Sequence, residues 1–320
     1  MTDERPALLS GIKPTGEIHI GNYFGAIRQF VELLNAGTYR CFVFIADYHA
    51  LNFIQDAAEM RRLTRELALA YLACGLDSTR AVLFKQSDVP AHTELAWIFD
   101  TITTMPYLER SHAYKDAEGK GKEVSVGTFN YPMLMAADIL LYSPKVVPVG
   151  ADQKQHVEYA RDTAEKFNRV FKKDVFAIPE PMILETVASV PGIDGRKMSK
   201  SYKNTIPLFA PKDELAKAVM SIVTDSSGER PEHVYAIHKL IKSEEALASI
   251  YESNAGNYKA LKEALIEDLD AFLSPMRARY EALKKDPEIA ENTLVVGAEE
   301  AQLVSEAKMK EVREAVGVAG

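Results

Sequence analysis

The chain has 320 residues, 47% hydrophobic and 26% charged, with a net charge of −8. That balance is globular: it excludes a disordered or collagen-like chain, and no apolar run approaches the roughly 18 residues that a membrane span needs. The acidity is uneven, −1 over residues 1–205 and −7 over 206–320, so a nucleic acid must be met by a local basic patch and not by an overall field.

In chain order, the opening Met1-Thr2-Asp3-Glu4-Arg5-Pro6 has no apolar core, so neither a secretory signal nor a basic transit peptide is expected. Leu8-Leu9-Ser10-Gly11 reads as the end of a strand. A helix follows with Ile27, Phe30, Val31 and Leu34 on one face and Gly37 after it. Cys41–Ala46 is a continuous apolar run of strand length, as in a parallel strand buried on both faces. Asp56 with Glu59 opens a helix through Leu63, Leu67, Tyr71 and Cys74 that stops at Gly75. Ala81–Phe84 and Val146–Val149 are further strands, separated by a mostly helical stretch, 91–144, with a Gly/Lys-rich break at Gly119–Lys122. This alternation predicts an α/β fold, a doubly wound parallel sheet. After Lys203 the strand signals thin out. Asp213–Ile222, Pro231–Ile241, Glu244–Ser253, Tyr258–Leu273 and Glu299–Val316 read as helices. The expected organisation is an α/β domain over 1–205 and a helical domain over 206–320, with the last helix a candidate to pack back on the sheet.

Two cysteines without a CxxC spacing exclude a cysteine zinc cage and a disulfide framework, and fit a reducing cytoplasm. His49, His112 and His156 show no HxxxH or HxH spacing, so no protein-bound zinc is expected.

Two motifs bear on chemistry. In Ser10-Gly11-Ile12-Lys13-Pro14-Thr15-Gly16-Glu17-Ile18-His19-Ile20-Gly21-Asn22, a strand runs through a glycine-bearing turn into a helix. A helix N-terminus favours phosphate, Gly21 admits close approach to the backbone, and His19 can donate to a phosphate oxygen without a fixed charge. The bland alternative is a histidine cap on an ordinary turn. In Arg196-Lys197-Met198-Ser199-Lys200-Ser201, two lysines at i and i+3 sit on a glycine-bearing loop, suited to pyrophosphate charge that grows in a transition state. Its bland alternative is a solvated basic loop. Asp138 is a lone carboxylate in an apolar helix with Met135, Ile139 and Leu141. Such a group needs a partner, either a donor in the core or a substrate.

The ordered pair HIGN and KMSKS on an alternating α/β frame resembles the signature of class I aminoacyl-tRNA synthetases. Asn22 in place of a final histidine resembles the tryptophanyl members. The resemblance extends through Ile45-Ala46-Asp47-Tyr48-His49-Ala50, Tyr131–Tyr142 and Val147–His156, and covers roughly residues 8–203. It implies a Rossmann-type catalytic domain, an anticodon-binding helical domain and a homodimer. It further implies ATP as substrate with Mg²⁺ held mainly by phosphates, no zinc or iron–sulfur cluster, and L-tryptophan and tRNA(Trp) as partners. The implied catalytic groups are His19, Lys115, Lys197 and Lys200. ATP would meet Lys13, Pro14, Thr15, Gly21, Asn22, Gly150, Ala151, Asp152, Val187 and the Lys197–Ser201 loop, including Met198 and Ser199. Tryptophan would meet Gly11, His49, Tyr131, Met135, Asp138 and Gln153. Two positions depart from the family pattern: Lys13 stands where glutamine is more usual, and Tyr48 replaces a common glutamine. A tyrosyl enzyme is the nearest rival, disfavoured by HIGN and by the Ala136-Ala137-Asp138 helix.

Overall fold

The computed structural model describes residues 4–14, 16–119, 123–149, 154–183, 190–224 and 230–318. Five strands, β1 (Ala7–Ile12), β2 (Arg40–Ile45), β3 (Ala81–Lys85), β4 (Val146–Val149) and β5 (Glu180–Ile183), form one parallel sheet in the order β3-β2-β1-β4-β5. Between β1 and β2 lie α1 (Ile20–Asn22), a π-helical turn (Tyr23–Ile27) and α2 (Arg28–Asn35). Between β2 and β3 lie α3 (Asp47–Ala50) and α4 (Ala57–Ala73). The long connection to β4 carries α5 (Ala91–Ile102), α6 (Met105–Leu108), α7 (His112–Gly119) and α8 (Val126–Leu141), and α9 (Lys154–Phe171) leads to β5. Among the described residues after β5, the longer elements are the helices α10 (Lys212–Met220), α11 (Glu232–His238), α12 (Glu244–Ser253), α13 (Tyr258–Lys285) and α14 (Pro287–Val316).

The two-residue period of β2 explains the layers. Cys41, Val43 and Ile45 point into one core with Phe30, Leu34 and Leu67, while Phe42 and Phe44 point into the other with Leu95, Phe99 and Leu140. A strand covered on both faces has no polar side to show, hence its unbroken apolar run. The Asp56 side chain accepts from the Glu59 backbone N–H and starts α4 as its sequence suggests. Strand order reverses between β1 and β4, which pair at Leu8–Val146. In open α/β sheets such a reversal leaves a crevice at the carboxyl ends of the strands.

Three elements differ from the sequence expectation. Strand β5 was not expected, because Pro181 breaks its apolar pattern; it lies at the sheet edge, where a missing N–H is tolerated. Helix α13 does not stop at Leu273 but runs through Pro275 to Lys285. Proline removes the donor to the Ala271 carbonyl, and the Ser274 hydroxyl takes that place at 3.2 Å. Helix α14 begins at Pro287, before Glu299, and carries Gly297 in its interior. A Cβ there would lie 1.9 Å from the Leu83 carbonyl oxygen, so only glycine lets α14 press on the backbone of β3. Among the described residues, no helix is long and apolar enough to cross a membrane.

Candidate active site

The crevice between β1 and β4 holds a cavity of about 300 Å³. Its floor comes from the ends of the two strands, Gly11, Ile12, Val147 and Pro148, and its walls from Phe44, His49, Tyr131, Met135 and His156. Gly11 is required by packing: a Cβ there would stand 2.5 Å from the Phe44 ring. Tyr131 and His156 close one side, the phenol oxygen 2.6 Å from His156 Nε2. Lys13 reaches the cavity from the end of β1, its ammonium 5.4 Å from the centre of the Phe53 ring. The surrounding protein desolvates that ammonium and lowers its pKa.

Asp138 lies at the base of the cavity, 1% exposed. Three side chains meet its carboxylate: His49 Nε2 at 2.7 Å on Oδ2, and Gln86 Nε2 at 2.7 Å and His92 Nδ1 at 2.6 Å on Oδ1. Burial alone would raise the pKa. The His49 imidazole and the hydrogen bonds of His49 and His92 outweigh it and hold the group at about 2. Asp138 is therefore ionised at neutral pH and can only accept hydrogen bonds.

The two signature motifs meet at one place. His19 is the N-cap of α1; its Nδ1 accepts from the Asn22 N–H at 3.2 Å, and Asn22 Oδ1 accepts from the His19 N–H at 3.1 Å. This reciprocal pair closes the first turn of α1. Burial, aided by the charge of Lys200, lowers the His19 pKa to about 4. The imidazole is thus neutral at pH 7, and with Nδ1 accepting, its proton sits on Nε2, which can donate. Main-chain bonds tie this turn to the segment after the lysine loop, Ile20 N to Ile206 O at 3.0 Å and Leu208 N to Ile18 O at 2.9 Å. Met198 is buried over Gly21, where a Cβ would stand 3.1 Å from its own and 2.9 Å from His19 Nδ1. Lys200 lies across Gly16, whose φ is +88°. Burial lowers the Lys200 pKa, with Glu17 and Glu66 opposing.

One residue organises the lysine loop. Asn204, 1% exposed, accepts from the Ser199 N–H at 2.8 Å and donates to Asp194 Oδ1 at 2.6 Å and to the Lys197 carbonyl at 3.2 Å. Ser199 and Ser201 pair through their hydroxyls at 2.8 Å, and Lys197 stays exposed.

Of the residues singled out in the sequence, the structure brings Gly11, Lys13, His49, Tyr131, Met135 and Asp138 to one cavity. It brings His19, Gly21 and Asn22 against Met198 and Lys200. Pro14 is buried beside them in the chain. Lys115 is exposed on α7, and no contact described here joins it to either group. Thr15, Gly150, Ala151, Asp152, Gln153 and Val187 lie outside the described residues. Sequence reading missed His92, Gln86, Tyr142 and Asn204. His92 and Gln86 lie 46 and 52 positions from Asp138, and no local pattern links them. The one available signal was indirect: a buried carboxylate requires donors from somewhere.

The family model described as "tRNA synthetases class I (W and Y)" matches residues 1–307. The chain is 44% identical over 320 residues to the tryptophan--tRNA ligase of Fusobacterium nucleatum, covering 98% of each chain. It is 42% identical to that of Rhodopirellula baltica, covering 97% of this chain and 99% of the other. The crystal structure of tryptophanyl-tRNA synthetase from Campylobacter jejuni, complexed with ADP and tryptophan, superposes with a TM-score of 0.91. It is 40% identical, over 97% of this chain and 99% of that one. With a matching family model over residues 1–307 and likeness over nearly the whole length of bacterial relatives, the chain belongs to the class I tRNA synthetases of the tryptophan and tyrosine family, on the bacterial tryptophanyl branch.

Proposed function

We propose that the chain activates L-tryptophan with ATP and charges tRNA(Trp). The tryptophan carboxylate attacks the α-phosphate, forming tryptophanyl-adenylate and releasing pyrophosphate. The 3′-terminal ribose hydroxyl of the tRNA then takes the aminoacyl group and AMP leaves. The observation that carries this reading is the ionised, acceptor-only Asp138 at the base of an aromatic-walled cavity lined by the end of β1, the strand that leads into the His19–Asn22 motif. An indole N–H is the donor such a carboxylate awaits. Phenylalanine carries no donor for that carboxylate, and a site built around such a bond rejects an analogue lacking it by about 10⁴–10⁵.

His19 supplies a neutral Nε2–H donor to a phosphate oxygen. Lys197 and Lys200 neutralise the charge that builds on the leaving pyrophosphate, and Lys115 is assigned to the same task. Mg²⁺ arrives with ATP and is held mainly by its phosphates. Lys13 gives ATP or the substrate carboxylate a charged partner. Thr15, Gly21, Asn22, Gly150, Ala151, Asp152 and Val187 complete the nucleotide site, and Gln153 the amino-acid site. The helical region after about residue 205 binds the anticodon. The working unit is a cytoplasmic homodimer, to which Trp97, Met105 and Val126, exposed on α5, α6 and α8, are candidates to contribute apolar contacts.

Amino-acid-dependent ATP–pyrophosphate exchange with each of the twenty amino acids tests the reading. Tryptophan alone should sustain exchange; a tyrosine-dependent signal overturns the assignment. In the same assay, K197A and K200A should each lower kcat about 10–100-fold with little change in tryptophan affinity, since charge stabilisation is made mainly in the transition state.

A further inference from the structure

The hydrogen bonds on Asp138 lead away from the cavity as well as toward it. His92, fully buried in the first turn of α5, lines no part of the cavity, yet its Nδ1 is 2.6 Å from Asp138 Oδ1. Its other nitrogen, Nε2, is 2.9 Å from the hydroxyl of Tyr142, itself 3% exposed where α8 ends. An ionised carboxylate only accepts, so His92 Nδ1 must carry a proton. A neutral imidazole then has a bare Nε2, and the Tyr142 hydroxyl supplies the donor it needs. A single tautomer satisfies both ends of the chain Tyr142–His92–Asp138.

The bonds are divided unevenly between the carboxylate oxygens. Among the described residues, Oδ1 takes two donors, His92 and Gln86, and Oδ2 takes one, His49, itself a cavity wall. An oxygen with two donors has no lone pair to spare, whereas Oδ2 keeps one. We propose that Tyr142 and His92 are positioning residues that fix the rotation of Asp138, hold Oδ1 fully occupied and present the open acceptor of Oδ2 to the cavity, so that they set selectivity for a ring N–H without touching the substrate. The proposal rests on the reading that Asp138 receives the indole N–H.

The test compares tryptophan with benzothienyl-alanine, its analogue with sulfur in place of the ring N–H, in the ATP–pyrophosphate exchange of the full chain. H92L should lower kcat/KM for tryptophan about 10–100-fold, mostly through KM, and that for the analogue by less than about 3-fold. H92N, whose amide can donate from near the Nδ1 position, should recover most of the loss. Y142F should give a smaller effect of the same selectivity, about 3–10-fold, because a bare Nε2 releases the tautomer. Equal losses on both substrates, or no loss, in H92L and Y142F overturn the positioning role. D138A separates this from failure of the underlying reading. If D138A discriminates between the substrates and the His92 and Tyr142 variants do not, only the positioning falls. If D138A does not discriminate, the reading of Asp138 falls and the positioning with it. Should H92L not fold, Y142F and the ¹⁵N imidazole spectrum of the unaltered chain decide. The resonance lost in H92N should belong to an Nδ1–H tautomer, and an Nε2–H tautomer there overturns the proposal.

Discussion

Asn204→Asp is the smallest change that tests how the lysine loop is held. The side chain keeps its shape and the oxygen that accepts from Ser199 N–H, but the amide that donates to Asp194 and to the Lys197 carbonyl becomes a second oxygen. Two donors are lost at a site 1% exposed, and two carboxylate oxygens are left facing each other across what is now a 2.6 Å hydrogen bond. The hydrogen bond from Asn204 is the foremost influence lowering the Asp194 pKa, so its removal also reverses the local balance. Leaving a buried acceptor unpaired costs about 1–3 kcal/mol. At 1.36 kcal/mol per factor of ten, that is about 5–150-fold in the population of the ordered loop, and hence in kcat for pyrophosphate exchange. Tryptophan binding measured without ATP should be unchanged, because the cavity at Asp138 shares no wall with the loop. Lowering the pH from 8 toward 6 should restore part of the lost activity, since two facing carboxylates come to share a proton that replaces the missing donor. A kcat for N204D within about twofold of the unaltered chain would refute the idea that Asn204 orders the lysines.

Four further outcomes are expected. G297A should destabilise the fold in urea by about 1–3 kcal/mol, because the clash with Leu83 outweighs the better helix propensity of alanine. G25A, with nothing within 4 Å of the new Cβ, should be neutral or slightly stabilising. K13Q should raise KM for tryptophan about 3–30-fold near neutrality; it should also abolish an alkaline fall in kcat/KM, as the ammonium whose pKa is lowered by desolvation is lost with rising pH. For His19 the folded pKa of about 4 lies below the ordinary imidazole value of 6.5, so the unfolded chain binds the proton first. Stability is therefore full above about pH 6.5 and declines as the pH falls toward 4. H19N, which can cap the same N–H, should flatten urea-melt stability across that window.

Much of the catalytic half was legible because its signals are local. The period of β2, the cap at Asp56 and the spacing within His19–Asn22 each declare themselves within a few residues. What escaped was set by distant contacts. Pro275 suggests a break, and only the Ser274 hydroxyl on Ala271 shows how α13 continues. Gly297 reads as a weak point in a helix until Leu83 is seen beside it. Asp138 announced a need for donors, but Gln86 and His92 come from the end of β3 and the start of α5. Asn204 looks like any loop asparagine until Asp194, Lys197 and Ser199 gather round it.

The contact between α14 and β3 also has a bearing on how the chain is made. Strand β3 is the edge of the sheet, and an uncovered edge invites pairing with another chain. It leaves the ribosome roughly 200 residues before α14, a wait of about 10–40 s at about 5–20 residues per second. Throughout that interval the nascent polypeptide has strands ready to pair and lacks the helix whose Gly297 seats against Leu83. Fragments released early, by a stalled ribosome or a premature stop codon, would keep that edge open, and their fate falls to chaperones and proteases.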